Sequence, residues 1–200
     1  MSFGFWKTPS FDERWKELKN ELQYFFSVIG GYPPKIKIQA EIRQVKKRWE
    51  NARKLAEGLL KEKPDDIQVK LALGELFRMG HNIDIPNTVP ASDKILKEVI
   101  KVDPNNFQAY YSLASMYVTL NPKFAPDAEI WFLKAEQLAH PKIIPDIYQG
   151  LGFVCLYQGK TEEAISHFEK YLEIAGINDV GVQSIVKELK SGKKPQIITQ

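Results

Sequence analysis

Residues 145–178 read PDIYQGLGFVCLYQGKTEEAISHFEKYLEIAGIN, and this stretch decides the fold. Tyr148, Leu151-Gly152 and Cys155 keep the three- and four-residue steps of one helical face. Gly159-Lys160 interrupts them, and Ala164, Phe168 and Tyr171 resume them on a second helix. Gly152 and Ala164 are small residues where two paired helices cross, so their axes can approach, and the aromatics fill the space between neighbouring pairs.

Two earlier segments stack on this one. In the middle segment Tyr110, Leu113-Ala114 and Tyr117 are followed by Ala128, Phe132 and Ala135. In the first, Leu73-Gly74 and Phe77 are followed by Ser92, Leu96 and Val99, closing at Pro104. The distance between the small residues of the two helices is 12 in the last segment, 14 in the middle and 18 in the first. The excess falls at Asn121 to Pro126 and His81 to Pro90, inside turns, where a helix-pair array tolerates insertions.

The aromatic-x2-Leu-Gly-x2-aromatic and Ala-x3-Phe spacing of 145–178 resembles the tetratricopeptide repeat. The middle segment departs by Ala114 for glycine, the first by Lys70 for an aromatic and Ser92 for alanine. The resemblance implies an all-α, right-handed helix-pair solenoid of about three repeats, at 66–104, 105–144 and 145–178. Ala52, Ala56 and Leu59 before Pro64 resemble the second helix of a degenerate unit within 35–65, with the 35–48 stretch as its partner helix.

Around the repeats, residues 1–34 hold an aromatic segment and an amphipathic helix. Ser10 with Glu13 forms its capping box, and Gly30-Gly31 and Pro33-Pro34 stop it. The 35–65 stretch reads as a long basic helix. Asp179 starts a capping helix over 179–190, bearing Val182, Ile185, Val186 and Leu189, and 191–200 is expected to be a flexible tail.

Hydrophobic residues make up 44% of the chain, enough for a core, and the one cysteine, Cys155, excludes an intramolecular disulfide. The first residues lack the apolar core of a secretory signal, and no apolar run reaches the roughly 18 to 20 residues of a membrane span. The expectation is a soluble, cytoplasmic protein. Net charge is +3, divided unevenly: residues 1–63 carry a surplus of six cations, 64–186 a surplus of six anions and 187–200 a surplus of three cations.

No motif for catalysis is found, and no enzyme, metal or cofactor is expected. Gly159-Lys160-Thr161 lacks the glycine that a phosphate loop needs five residues earlier, where Val154 stands. It reads as the turn between helices, with Thr161 as the cap and Glu162 and Glu163 favouring the helix dipole. His81 and His140 are expected in solvated loops, His167 on an outer helix face and Cys155 in the core.

The resemblance implies a protein-interaction module or scaffold that binds a peptide or helix in a concave groove. The residues expected on its open face are Gln68, Leu71, Glu75 and Arg78, then Gln108, Tyr111, Ser115 and Thr119, then Asp146, Gln149, Phe153 and Tyr157. Some members of the family clamp a terminal carboxylate with basic and asparagine side chains. Here Leu71, Glu75, Ser112, Asp146 and Gly150 are expected at those sites, so the clamp is absent, and a partner with Lys or Arg beside apolar anchors is favoured. Two alternatives stand beside it. One is polyanion or nucleic-acid binding by Lys35, Lys37, Arg43, Lys46, Lys47, Arg48, Arg53 and Lys54, which scatter around the 35–63 helix. The other is a self-associating scaffold, with Phe3, Phe5 and Trp6 as a dimer contact.

Overall fold

The computed structural model describes residues 8–176 and 178–195. The expected dimer contact at Phe3, Phe5 and Trp6 lies outside the described residues. Among these, the chain is all-helical: α1 (Phe11–Ile29), α2 (Gln39–Glu62), α3 (Ile67–His81), α4 (Thr88–Val102), α5 (Phe107–Leu120), α6 (Ala125–Ala139), α7 (Pro145–Tyr157), α8 (Thr161–Ala175) and α9 (Val180–Lys190). It divides into two compact units, Met1–Val99 and Ile100–Gln200.

In the first unit α1 begins with the expected box. The Glu13 amide donates to Ser10 Oγ at 3.2 Å, and the Ser10 amide donates to Glu13 Oε2 at 2.7 Å. α2 is one helix of 24 residues, which corrects the reading of 35–48 as a separate partner helix. Its neighbours are α1 and α3. Arg14 reaches Glu62 at 2.6 Å, and Arg48 donates to Glu21 at 2.9 Å and lies over the Tyr24 ring. The order of these pairs along the two helices makes α1 and α2 antiparallel. The stripe of α2 formed by Val45, Trp49, Ala52, Ala56 and Leu59 is buried. Trp49 donates from Nε1 to the Leu76 carbonyl at 2.6 Å, and its ring fills the notch at Gly80.

The second half of this unit shows why Ser92 can replace alanine. A Cβ at Gly74 would stand 2.7 Å from the Leu96 side chain, so α3 and α4 cross closely there. Ser92 has no exposed surface and donates its hydroxyl to the Gly74 carbonyl at 2.9 Å. The turn before α4 uses Asp84 and Asn87 at φ 57° and 61°, left-handed conformations that Asp and Asn tolerate.

The second unit repeats one arrangement twice. α5 packs on α6 and α7 on α8, with α6 and α5 both touching α7. The turn of the middle pair holds a short 3-10 segment, Pro122–Phe124. Gly159, at φ 75°, makes the tight turn of the last pair. α8 starts at Thr161 itself. Lys160 occupies the cap without a side-chain bond, which corrects the assignment of Thr161 as the cap.

Asp179 does cap α9, accepting the Val182 amide at Oδ1 (3.0 Å), and Tyr171 donates to its other oxygen at 3.0 Å. Val182, Val186 and Leu189 of α9 join Tyr148, Phe168 and Tyr171 in one cluster, the lid expected over the last pair. Burial, then the bond to Asp179, pushes the Tyr171 phenol up to about 12 from an ordinary 10.

This packing can be tested at two residues. Gly150→Ala places a methyl 2.1 Å from the Phe132 ring, so it is expected to destabilise the fold by about 2 kcal/mol in urea unfolding monitored by circular dichroism. Tyr171 is neutral in the folded protein over a wider range than when unfolded, so its contribution is complete below pH 10 and is lost as pH rises from 10 through 12. Tyr171→Phe should flatten the fall of the urea midpoint across that window.

Candidate functional site

The strip of expected groove residues separates into two sets. On α3, Gln68 is exposed and Leu71 half-buried, but Glu75 and Arg78 are only 3% and 6% exposed. Arg78 Nε donates to Glu75 Oε2 at 2.9 Å, and Arg78 Nη1 donates to the Gly30 carbonyl at 2.9 Å. Asn82 Nδ2 donates to the Ile29 carbonyl at 2.8 Å. These side chains satisfy carbonyls left without helical partners at the end of α1. Glu75 and Arg78 are therefore not on an open face, because the C-terminus of α1 lies against that side of α3.

On α5 and α7 the expected residues share a surface. Tyr111 stacks on Phe107 and meets Phe132 edge-on, and its hydroxyl stands 3.5 Å from Asp146 Oδ2. Phe153 lies between Tyr157 and the edge of Phe168, with ring centroids 6.4 and 5.1 Å away. Gln149 Nε2 points to Asp179 Oδ2 at 3.4 Å. Gln108, Tyr111, Ser115, Thr119, Gln149, Phe153 and Tyr157 are all half-buried, and Asp146 is exposed. Burial raises the Tyr157 phenol above its usual range. The hydroxyl of Thr119 bonds back to its own helix, donating to the Met116 carbonyl at 2.9 Å.

Two positions weighed for a carboxylate clamp do not face the groove. Ser112 has no exposed surface, and Gly150 is the notch for Phe132. The register of α5 and α7 turns both inward to the neighbouring helix.

The charge on this surface is lopsided. α5 carries no charged residue, and α7 carries one, Asp146. Asp179 adds a second carboxylate through its place beside Gln149 and Tyr171. The face thus offers aromatic rings, amide and hydroxyl groups and two acids.

The histidines and the thiol lie away from this face or in packing. His81 is the half-buried last residue of α3, which corrects its assignment to a solvated loop. His140 is exposed at the end of α6. His167 stacks on Tyr148 with centroids 6.3 Å apart, and burial lowers its pKa. Cys155 is buried, which raises its thiol pKa. Among the described residues no three His, Cys, Asp or Glu side chains gather where they could hold a metal ion, and no helix is long and apolar enough to cross a membrane.

A cleft that sequence reasoning missed lies between the end of α6 and the start of α7, with a volume of about 480 Å³. Leu133, Glu136, Ile143, Ile147 and Tyr148 are among its lining residues. Its wall includes the 140–144 connection, whose course no periodicity encodes. Tyr148 donates to Glu136 there at 2.6 Å.

Helix pairs that interlock through a glycine notch and a facing ring define a helical-repeat protein. Residues 145–178 match the tetratricopeptide repeat family model, and the chain carries a repeat of that family there. Such repeats generally mediate protein–protein interaction and are typically non-catalytic. No curated protein matches the chain.

The placement of Arg78 gives a prediction about stability. Arg78→Ala withdraws a buried cation from Glu75 and from the end of α1, and is expected to cost about 3 kcal/mol. Arg53→Ala, whose partners Glu50 and Glu57 are solvated, is expected to cost under about 1 kcal/mol. Urea unfolding of the two variants checks the contrast.

Proposed function

We propose that the protein is a non-catalytic interaction module, and that the face shared by α5 and α7 docks a peptide or helix of a partner. The observation that carries this reading is the pairing of half-exposed Tyr111, Phe153 and Tyr157 with an absence of cations on both helices. Aromatic side chains give large contact area at little entropic cost, because few torsions are frozen on binding. Asp146 and Asp179 favour a partner that sets Lys or Arg beside apolar anchors and disfavour one presenting a carboxylate or phosphate. Gln108, Ser115, Thr119 and Gln149 supply hydrogen-bonding groups between the rings.

Selection of a displayed random 12-residue peptide library against the whole chain tests the reading. The expected peptides contain Lys or Arg next to a large apolar residue. Their affinity should fall at least tenfold on Phe153→Ala or Tyr111→Ala with the helical melting curve retained, and several-fold on Asp146→Asn, which removes no packing. Peptides that bind all three variants as well as the parent would remove the α5–α7 assignment. Acid-rich peptides that still need Phe153 would keep the surface and overturn the charge preference.

A further inference from the structure

The eight basic residues between Lys35 and Lys54 are treated differently by the fold. At the C-terminal side, Arg48 is held by Glu21 and Arg53 by Glu50 and Glu57, while Lys54 stands 3.7 Å from Glu50. At the N-terminal side, Lys35, Lys37, Arg43, Lys46 and Lys47 make no ion pair among the described residues. Lys35, Lys37, Arg43 and Lys47 are exposed, and Lys46 is half-buried.

On the helix these charges do not scatter. At 3.6 residues per turn, Arg43, Lys46 and Lys47 fall within about 100° of one another. That side points away from the buried stripe of Val45, Trp49 and Ala52. Gln39 lies on the same arc and Ala40 at its edge, both exposed and uncharged. Glu41 projects to the opposite side of the helix, and the first acid along the cationic arc is Glu50, already engaged by Arg53. Lys35 and Lys37, both exposed, precede the helix on either side of Ile36, which packs against the core.

We infer that this patch binds the phosphodiester backbone of a nucleic-acid duplex without reading its sequence. Five cations on a rigid helix and its tethered lead-in gain by releasing counterions from closely spaced phosphates, and Arg43 can fork onto one of them. Among the described residues the patch carries no aromatic platform for stacking unpaired bases, which favours a duplex over a single strand. Among the described residues Ile38 is the patch's one largely exposed large apolar side chain, which favours a polyanion over a lipid interface. The patch belongs to the first unit and the α5–α7 face to the second, and neither proposal depends on the other.

The test uses the whole chain and fluorescein-labelled 20-base-pair DNA and RNA duplexes, with anisotropy read from 50 to 200 mM KCl. Binding of either duplex is expected, with log K falling against log salt at a slope of about −4.5, as five phosphate contacts predict. The variant Lys35→Gln/Lys37→Gln/Arg43→Gln/Lys46→Gln/Lys47→Gln should lose at least tenfold in affinity. Lys94→Gln/Lys101→Gln/Lys142→Gln/Lys187→Gln/Lys193→Gln removes as much charge elsewhere and should stay within about twofold. Both variants are expected to keep their helix content, checked by circular dichroism. Equal losses in the two variants, or no duplex binding at 50 mM, would overturn the inference. So would binding confined to vesicles of phosphatidylcholine and phosphatidylserine, which assigns the patch to a membrane surface.

Discussion

A ring set into a glycine notch is the contact on which the second unit depends. Phe132 occupies the space where a side chain at Gly150 would be, and Phe168 does the same at Gly152, with a hypothetical Cβ 2.5 Å from its ring. The two glycines are neighbours on α7 that face different helices, Gly150 towards α6 and Gly152 towards α8. One short helix thereby fixes both the pairing within its own repeat and the stacking on the preceding one. Both rings are almost completely buried, so each contributes apolar area as well as shape.

The first unit meets the same demand with other chemistry. At Gly74 the incoming side chain is the flexible Leu96, and Ser92 adds a hydroxyl bond to the Gly74 carbonyl. At Gly80 the ring is Trp49 of α2, anchored by its indole bond to Leu76. Close approach is kept, while the residue that fills the notch changes from phenylalanine to leucine to tryptophan. A spacing rule tied to particular residue types loses sensitivity here, although the geometry that the rule describes persists.

That explains what was legible in the sequence. The packing of α7 on α8 was legible, because Gly152, Ala164 and Phe168 are the common residues at their positions and the turn is short, whereas the cap of α8 and the inward turn of Gly150 were not. The cap at Asp179 and the box at Ser10 and Glu13 were also legible, since each rests on local bonds among residues three apart, and the lid helix shows in the apolar stripe of Val182, Val186 and Leu189. The partner of α2 was not, because Trp49 and Arg48 meet α3 and α1 through contacts far apart in the chain and α1 has no signature residues. Counting along the chain also hid the clustering of Arg43, Lys46 and Lys47, which emerges once neutralised residues such as Arg48 are separated from them.

The candidate surface was legible in the second unit and not in the first, for a reason that lies in the packing itself. On α5, residues Ala109, Tyr110, Ser112, Leu113, Ala114, Met116 and Val118 are buried, and on α7 so are Ile147, Tyr148, Gly150, Leu151, Gly152, Val154 and Cys155. Close packing on two sides leaves few positions on either helix outside the core, and Tyr111, Ser115, Asp146, Gln149 and Phe153 are among them. Helical periodicity is enough to find such a strip when neighbours cover only the expected sides. On α3 a third neighbour, the end of α1, needs partners for its carbonyls and takes Arg78 and Asn82 for that purpose. A backbone requirement two helices away in the chain thus converts would-be surface residues into structural ones, and no periodicity in α3 alone records it.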